Sequence, residues 1–166
     1  MASVLVIEDD LTFSRILEGF LTKHGHSVKV NNTGTEGLKT FTSTTFDVVL
    51  LDYRLPDVTG LTLLTDLRTH APNVPVIIMT SFNDLRTAVK AMKAGAFEYI
   101  TKPVNPEELL LVLNQSLKKE TEPSQKNTVR PPSKDFIEGK SDVSRKLHDY
   151  VKLVAPTDMS VIIEGE

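Results

Sequence analysis

Residues 48–60 read VVLLDYRLPDVTG. The aliphatic run Val48, Val49, Leu50, Leu51 lacks the alternation of a half-exposed strand and opens on β-branched residues. It therefore reads as a strand covered on both faces. The run ends on a carboxylate, Asp52, where an unpaired charge is expensive. Asp52 is a cap, a ligand or a nucleophile, and the rest of the chain has to separate these.

Working outward, short apolar runs occur at residues 4–7, 27–30, 47–51, 76–79 and 97–100, with amphipathic stretches at 11–23, 34–42, 60–69, 84–94 and 106–118. In the first stretch Phe13, Ile16, Leu17, Phe20 and Leu21 recur at helical spacing and form one apolar stripe. Leu85, Ala88, Val89 and Met92 do the same in the fourth, and Gly95 sits where a helix stop belongs. Pro106 followed by Glu107 and Glu108 starts the fifth, with acids at the positive end of the helix dipole. Strand and helix alternating in this way predict parallel strands joined by right-handed crossovers, a doubly wound α/β sheet with helices on both faces.

The 166 residues are 40% hydrophobic and 25% charged, with a net charge of −3, which gives no bulk electrostatic footprint for nucleic acid or anionic membrane. There is no cysteine, which excludes disulfides, thiolate metal sites and a cysteine nucleophile. No apolar run approaches the roughly 18 residues of a membrane span, and a cytoplasmic location is expected. His24, His26, His70 and His148 show no metal-ligand spacing and are expected at the surface. After residue 119 the composition changes: residues 120–134 carry Pro123, Pro131 and Pro132 without periodicity and read as a linker. Residues 135–166 offer one amphipathic helix (Val143, Leu147, Tyr150, Val151, Val154) and a final strand over 159–163, too little to enclose a core.

In open α/β sheets sites form at the carboxyl ends of strands. Here those ends carry Glu8, Asp9 and Asp10, then Asp52, then Thr80 and Ser81, then Thr101, Lys102 and Pro103. Like charges about 4 Å apart repel by roughly 4 kcal/mol at an effective dielectric of about 20, so clustered acids need a cation. Lys102 supplies one positive charge, and Mg²⁺ suits the remaining all-oxygen set. The Thr80 hydroxyl and Lys102 can serve phosphoryl oxygens, so the set suits a phosphoryl group on Asp52. A lone strand-end aspartate is ordinarily a cap and a lone Lys-Pro a turn. Their joint occurrence at several strand ends favours the functional reading.

With VLVIEDD, LLDYRLPDVTG, VIIMTSFND and FEYITKPV in this order, residues 1–119 resemble the receiver domain of two-component response regulators. The resemblance implies a flavodoxin-like fold with strand order 2-1-3-4-5. It implies that Asp52 accepts a phosphoryl group from a histidine kinase, with Asp9 as a direct Mg²⁺ ligand, Glu8 an outer or water-mediated one and the Arg54 backbone carbonyl a third. Thr80 and Lys102 would bind the phosphoryl oxygens. Thr80 and Tyr99 would form the switch, the Lys102–Pro103 bond would be cis, and the fourth helix, fifth strand and fifth helix would form a homodimer face. Glu8 stands where Asp is usual and Ser81 where a smaller residue is commoner. Arg54 and Phe82 flank Asp52 and are expected to tune loss of the phosphoryl group.

Residues 137–166 resemble the opening of the AAA+ ATPase domain of NtrC-type, sigma-54-dependent activators, with Gly165 and Glu166 at the start of a Walker A loop. The remaining glycines, Lys and Ser/Thr of that loop are not in the sequence, so neither ATP hydrolysis nor DNA binding is expected of this polypeptide. The longer parent would contact sigma-54 RNA polymerase and DNA. Three rivals weigh less. A haloacid-dehalogenase-type phosphatase needs a general acid two residues after its nucleophile, where Arg54 stands. A flavodoxin needs a phosphate-cradling first loop, where this chain has acids. A degenerate interaction module would not need Asp52, Thr80 and Lys102 together.

Overall fold

The computed structural model describes residues 1–81, 85–118, 150–152 and 155. The chain divides into two units, Met1–Lys119 and Glu120–Glu166. The first holds β1 (Ser3–Ile7), α1 (Leu11–Lys23), β2 (Ser27–Asn31), α2 (Gly34–Ser43), β3 (Val48–Asp52), α3 (Gly60–His70), β4 (Val76–Thr80), α4 (Leu85–Lys93), β5 (Glu98–Thr101) and α5 (Pro106–Lys118). Of the second, residues 150–152 are helical. The linker at 120–134, the strand at 159–163 and most of the helix through Val143 lie outside the described residues, as do Phe82, Asn83 and Asp84.

The five strands form one parallel sheet in the order β2-β1-β3-β4-β5, the doubly wound arrangement expected of a flavodoxin-like fold. β3 and β4 are buried at every position, which explains the unbroken aliphatic runs. Successive residues feed opposite cores. Leu5, Ile7, Val49, Leu51 and Ile78 pack with Phe41, Leu63, Leu64, Leu67 and Ala91 on one face. Val4, Val6, Leu50, Ile77 and Met79 pack with Leu17, Leu21, Leu109 and Leu113 on the other. Each such side chain contributes about 1.5–3 kcal/mol of burial. β2 lies at the edge and mixes exposed with half-buried positions.

Two expectations change in detail. Asp52 and Thr80 are the last residues of their strands rather than the first residues beyond them. Ile16, expected in the α1 stripe, is 61% exposed. It lies about 100° around the helix from Leu17, outside the arc that meets the sheet. The turn after α4 depends on two residues. Gly95 takes φ 96°, open to glycine, and lets Ala96 N donate to Ala91 O at 3.0 Å. Arg68 of α3 donates to the Gly95 carbonyl from Nε at 2.9 Å and to the Val74 carbonyl from Nη1 at 2.6 Å, tying that turn to the entry of β4.

Gly60 opens α3 against the end of β3. A Cβ there would lie 2.6 Å from the Asp52 carbonyl oxygen and 2.7 Å from Tyr53 Cα, backbone atoms that cannot give way locally. Gly60→Ala is expected to lower stability by about 2 kcal/mol or more, read as the urea midpoint followed by circular dichroism.

Candidate functional site

The site is assembled where β1, β3, β4 and β5 end. Glu8 follows β1 and is fully buried; its N–H donates to Asn31 O at 3.0 Å and its carbonyl accepts from Asn32 Nδ2 at 2.7 Å. Asp9 faces solvent. Asp10 turns back as the N-cap of α1, its Oδ1 accepting from Thr12 N at 2.8 Å and Phe13 N at 3.0 Å. Those backbone bonds hold its carboxyl below the usual carboxylate range.

Asp52 closes β3 at 6% exposure. Its Oδ1 accepts from Arg54 N at 3.0 Å, which fixes the carboxylate's rotation. The Arg54 backbone is held in turn by a bridge to Thr59, and Gly60 N donates to Tyr53 O at 2.7 Å. Thr80 is buried at the end of β4, whose Met79 is register partner of Asp52, and its carbonyl accepts from Lys102 N at 2.6 Å. The next peptide bond, Lys102–Pro103, is cis.

Lys102 joins these ends. Its Nζ donates to Glu8 Oε1 at 2.8 Å, Glu8 Oε2 at 2.7 Å and Asp52 Oδ2 at 2.7 Å, and lies 4.8 Å from the centre of the Phe13 ring. Burial works against its charge, but the bonds to Asp52 and Glu8 outweigh that and hold the Lys102 ammonium above its ordinary range. Burial pushes the Glu8 carboxyl up to about 7, opposed by its bond to Lys102 and reinforced by the charge of Asp52. Glu8, Asp9 and Asp52 each offer an oxygen within 4.8 Å of the others. An all-oxygen set of this kind, with one exposed acid giving access from solvent, fits a hard divalent cation.

The structure thus brings Glu8, Asp9, Asp52 and Lys102 together, with Thr80 and the Arg54 backbone on the same sheet edge. Tyr99 is half-buried on β5 and packs against the core beneath α4. Three positioning contacts were not legible in the sequence. Phe13 reads as core stripe, while the bond from Asn32 and the carboxylate of Asp57 reach across more than twenty residues. Asp57, in the β3–α3 loop, accepts from Gly34 N at 2.9 Å, Thr35 N at 2.8 Å and Thr35 Oγ1 at 2.6 Å, so one loop caps the helix of another.

The response regulator receiver domain family matches residues 4–114. The chain belongs to that family. The chain is 35% identical over 164 residues to the transcriptional regulatory protein ZraR of Klebsiella oxytoca, covering 98% of this chain and 37% of that protein. It is 33% identical over 165 residues to the DNA-binding transcriptional regulator NtrC of Escherichia coli K12, covering 98% of this chain and 35% of that one. The chain therefore spans little more than a third of the curated relatives it matches. Among solved structures, a response regulator receiver domain protein from Clostridium thermocellum superposes with a TM-score of 0.68 at 36% identity, over 70% of this chain and 94% of its own. No helix among the described residues is long and apolar enough to cross a membrane.

The Thr35 hydroxyl, then the backbone N–H groups of Thr35 and Gly34, pull the Asp57 carboxyl down to about 2 from its ordinary 3.8. A lowered acid stabilises the fold above its ordinary value and loses that contribution as pH falls through the lowered one. Asp57→Ala is expected to cost about 0.5–1 kcal/mol at neutral pH, at the modest end because the group is exposed. The gap between variant and wild type in urea titrations should narrow steadily below pH 3.8 and close near pH 2.

Proposed function

We propose that this receiver is the phosphoacceptor of a two-component relay and that Asp52 takes a phosphoryl group from the phosphohistidine of a sensor histidine kinase. The observation that carries the reading is a nearly buried carboxylate at the open end of a central strand, bonded to an ammonium and flanked by two further acids. An Asp52 oxygen attacks phosphorus, the P–N bond breaks as the P–O bond forms, and the imidazole leaves with the electron pair. Lys102 offsets charge on the transferring group, and the Thr80 hydroxyl donates to a phosphoryl oxygen. Asp9, Asp52 and the Arg54 carbonyl would hold Mg²⁺ directly and Glu8 through water; the ion supplies charge neutralisation at the reacting oxygens.

The product adds negative charge and acceptor oxygens at one point. Thr80 is drawn toward them and Tyr99 turns into the vacated space, the switch that alters the α4–β5–α5 face. Alignment with ZraR and NtrC over nearly the whole chain supports an NtrC-type setting. In it, residues 1–119 are the receiver, 120–134 the linker and 135–166 the start of a sigma-54-type ATPase domain. Contacts with sigma-54 RNA polymerase and DNA belong to that longer parent, and the setting is cytoplasmic. The phosphatase reading is disfavoured because Arg54 cannot act as a general acid.

Incubation with Mg²⁺ and acetyl phosphate, followed by intact mass, should show one phosphoryl group on wild type and none on Asp52→Asn; labelling of the variant overturns the assignment. On α5, Leu109, Val112 and Leu113 are buried whereas Leu111 is 59% exposed, an apolar position that the described residues leave uncovered. This supports our proposal of a homodimer through α4, β5 and α5. Light scattering should report a monomer alone and a dimer with beryllofluoride and Mg²⁺, and a monomer under both conditions removes it.

A further inference from the structure

The Lys102 ammonium lies between two carboxylates, straddling both oxygens of Glu8 at 2.8 and 2.7 Å and meeting Asp52 Oδ2 at 2.7 Å. The Phe13 ring is a fourth neighbour at 4.8 Å that requires no proton. A cation over a ring face at this range is attracted by the ring quadrupole, more strongly where water is excluded. The Lys102 side chain is only 16% exposed. Phe13 is held in place from the acidic loop, because the Asp10 carboxylate that caps α1 accepts from Phe13 N at 3.0 Å, and Asp10 N lies 3.4 Å from Glu8 Oε1. Residues 8, 10 and 13 thus form one short arc around the ammonium.

We infer that Phe13 is a positioning residue for Lys102, its ring face holding the ammonium between Glu8 and Asp52 so that one N–H is presented to a phosphoryl group on Asp52. This rests on the phosphoacceptor role proposed above. A ring suits the position better than the alternatives. Another carboxylate would add repulsion to an acid-rich cluster, and a hydroxyl or amide would compete for the lysine's protons. When a phosphoryl oxygen takes the N–H now given to Asp52, Glu8 and the ring keep the ammonium in place.

The test compares Phe13→Leu, which keeps an apolar contact with the core but loses the ring, with Phe13→Tyr, which keeps the ring face. The first readout needs no donor: in wild type and Phe13→Tyr the ε-methylene protons of Lys102 should be ring-current shifted in ¹H–¹³C spectra, and in Phe13→Leu that shift should vanish. The second is the rate of Asp52 labelling by acetyl phosphate at saturating Mg²⁺, expected to fall about fivefold in Phe13→Leu and to return to the wild-type rate in Phe13→Tyr. If Phe13→Leu does not fold, Phe13→Met, flexible and similar in volume, replaces it. An unchanged Lys102 shift without the ring, or equal labelling rates in all variants, overturns the inference. Failure of wild type to label at all would instead sink the phosphoacceptor reading, and the Lys102 shift would still decide whether the ring sits over the ammonium.

Discussion

The Lys102 ammonium sits between two carboxylates that the fold forces together. Strand order places β1 and β3 side by side, so acids ending those strands face each other across roughly 5 Å. Repulsion between them would amount to several kcal/mol without a cation. β5 lies on the far side of β4, about 10 Å from β3 at sheet spacing. Only a long side chain bridges that gap, and lysine does so with bonds of 2.7 Å to both Glu8 and Asp52. One nitrogen thereby ties together the ends of three strands.

Rigid placement of that nitrogen comes from the sheet. The central strands are buried on both faces, and closely packed interiors resist small displacements. The polar groups of the site sit at the last positions of β3 and β4, Asp52 and Thr80, and just past the ends of β1 and β5, Glu8 and Lys102. The loops beyond are held by hydrogen bonds between segments, Asn32 on the Glu8 carbonyl and Asp57 on the start of α2. Each ties a loop of the site edge to a neighbouring segment, so the carboxylates are held without relying on their own side-chain preferences.

The fold was legible because covering both faces of a strand leaves an uninterrupted aliphatic run, and runs alternating with amphipathic stretches admit few connections. Glu8, Asp9, Asp52, Thr80 and Lys102 were legible as strand-end residues for the same reason. Strand ends were misplaced by a residue because a polar side chain does not stop backbone pairing. Ile16 was misassigned because helical spacing alone does not fix the width of the buried arc. Phe13 was assigned to the core and is indeed half-buried against it, yet periodicity cannot report that its other side meets a lysine almost ninety residues away. Contacts at such separations leave no local pattern.

The run Glu8-Asp9-Asp10 shows what spacing conceals. As the chain leaves β1 the three acids take three directions: Glu8 inward onto Lys102, Asp9 outward to solvent, Asp10 back onto the N-terminus of α1. Asp10 is held ionised by the α1 N–H groups, which aim its carboxylate at the helix rather than into the acid cluster. Glu8, Asp9 and Asp52 remain, and one ammonium offsets only part of that charge when all three are ionised. An incoming phosphoryl group would meet net repulsion from such a site. The acid cluster is therefore incomplete as an anion receptor by itself, and that deficit is the physical reason to place a divalent cation among oxygens that lie within 4.8 Å of one another.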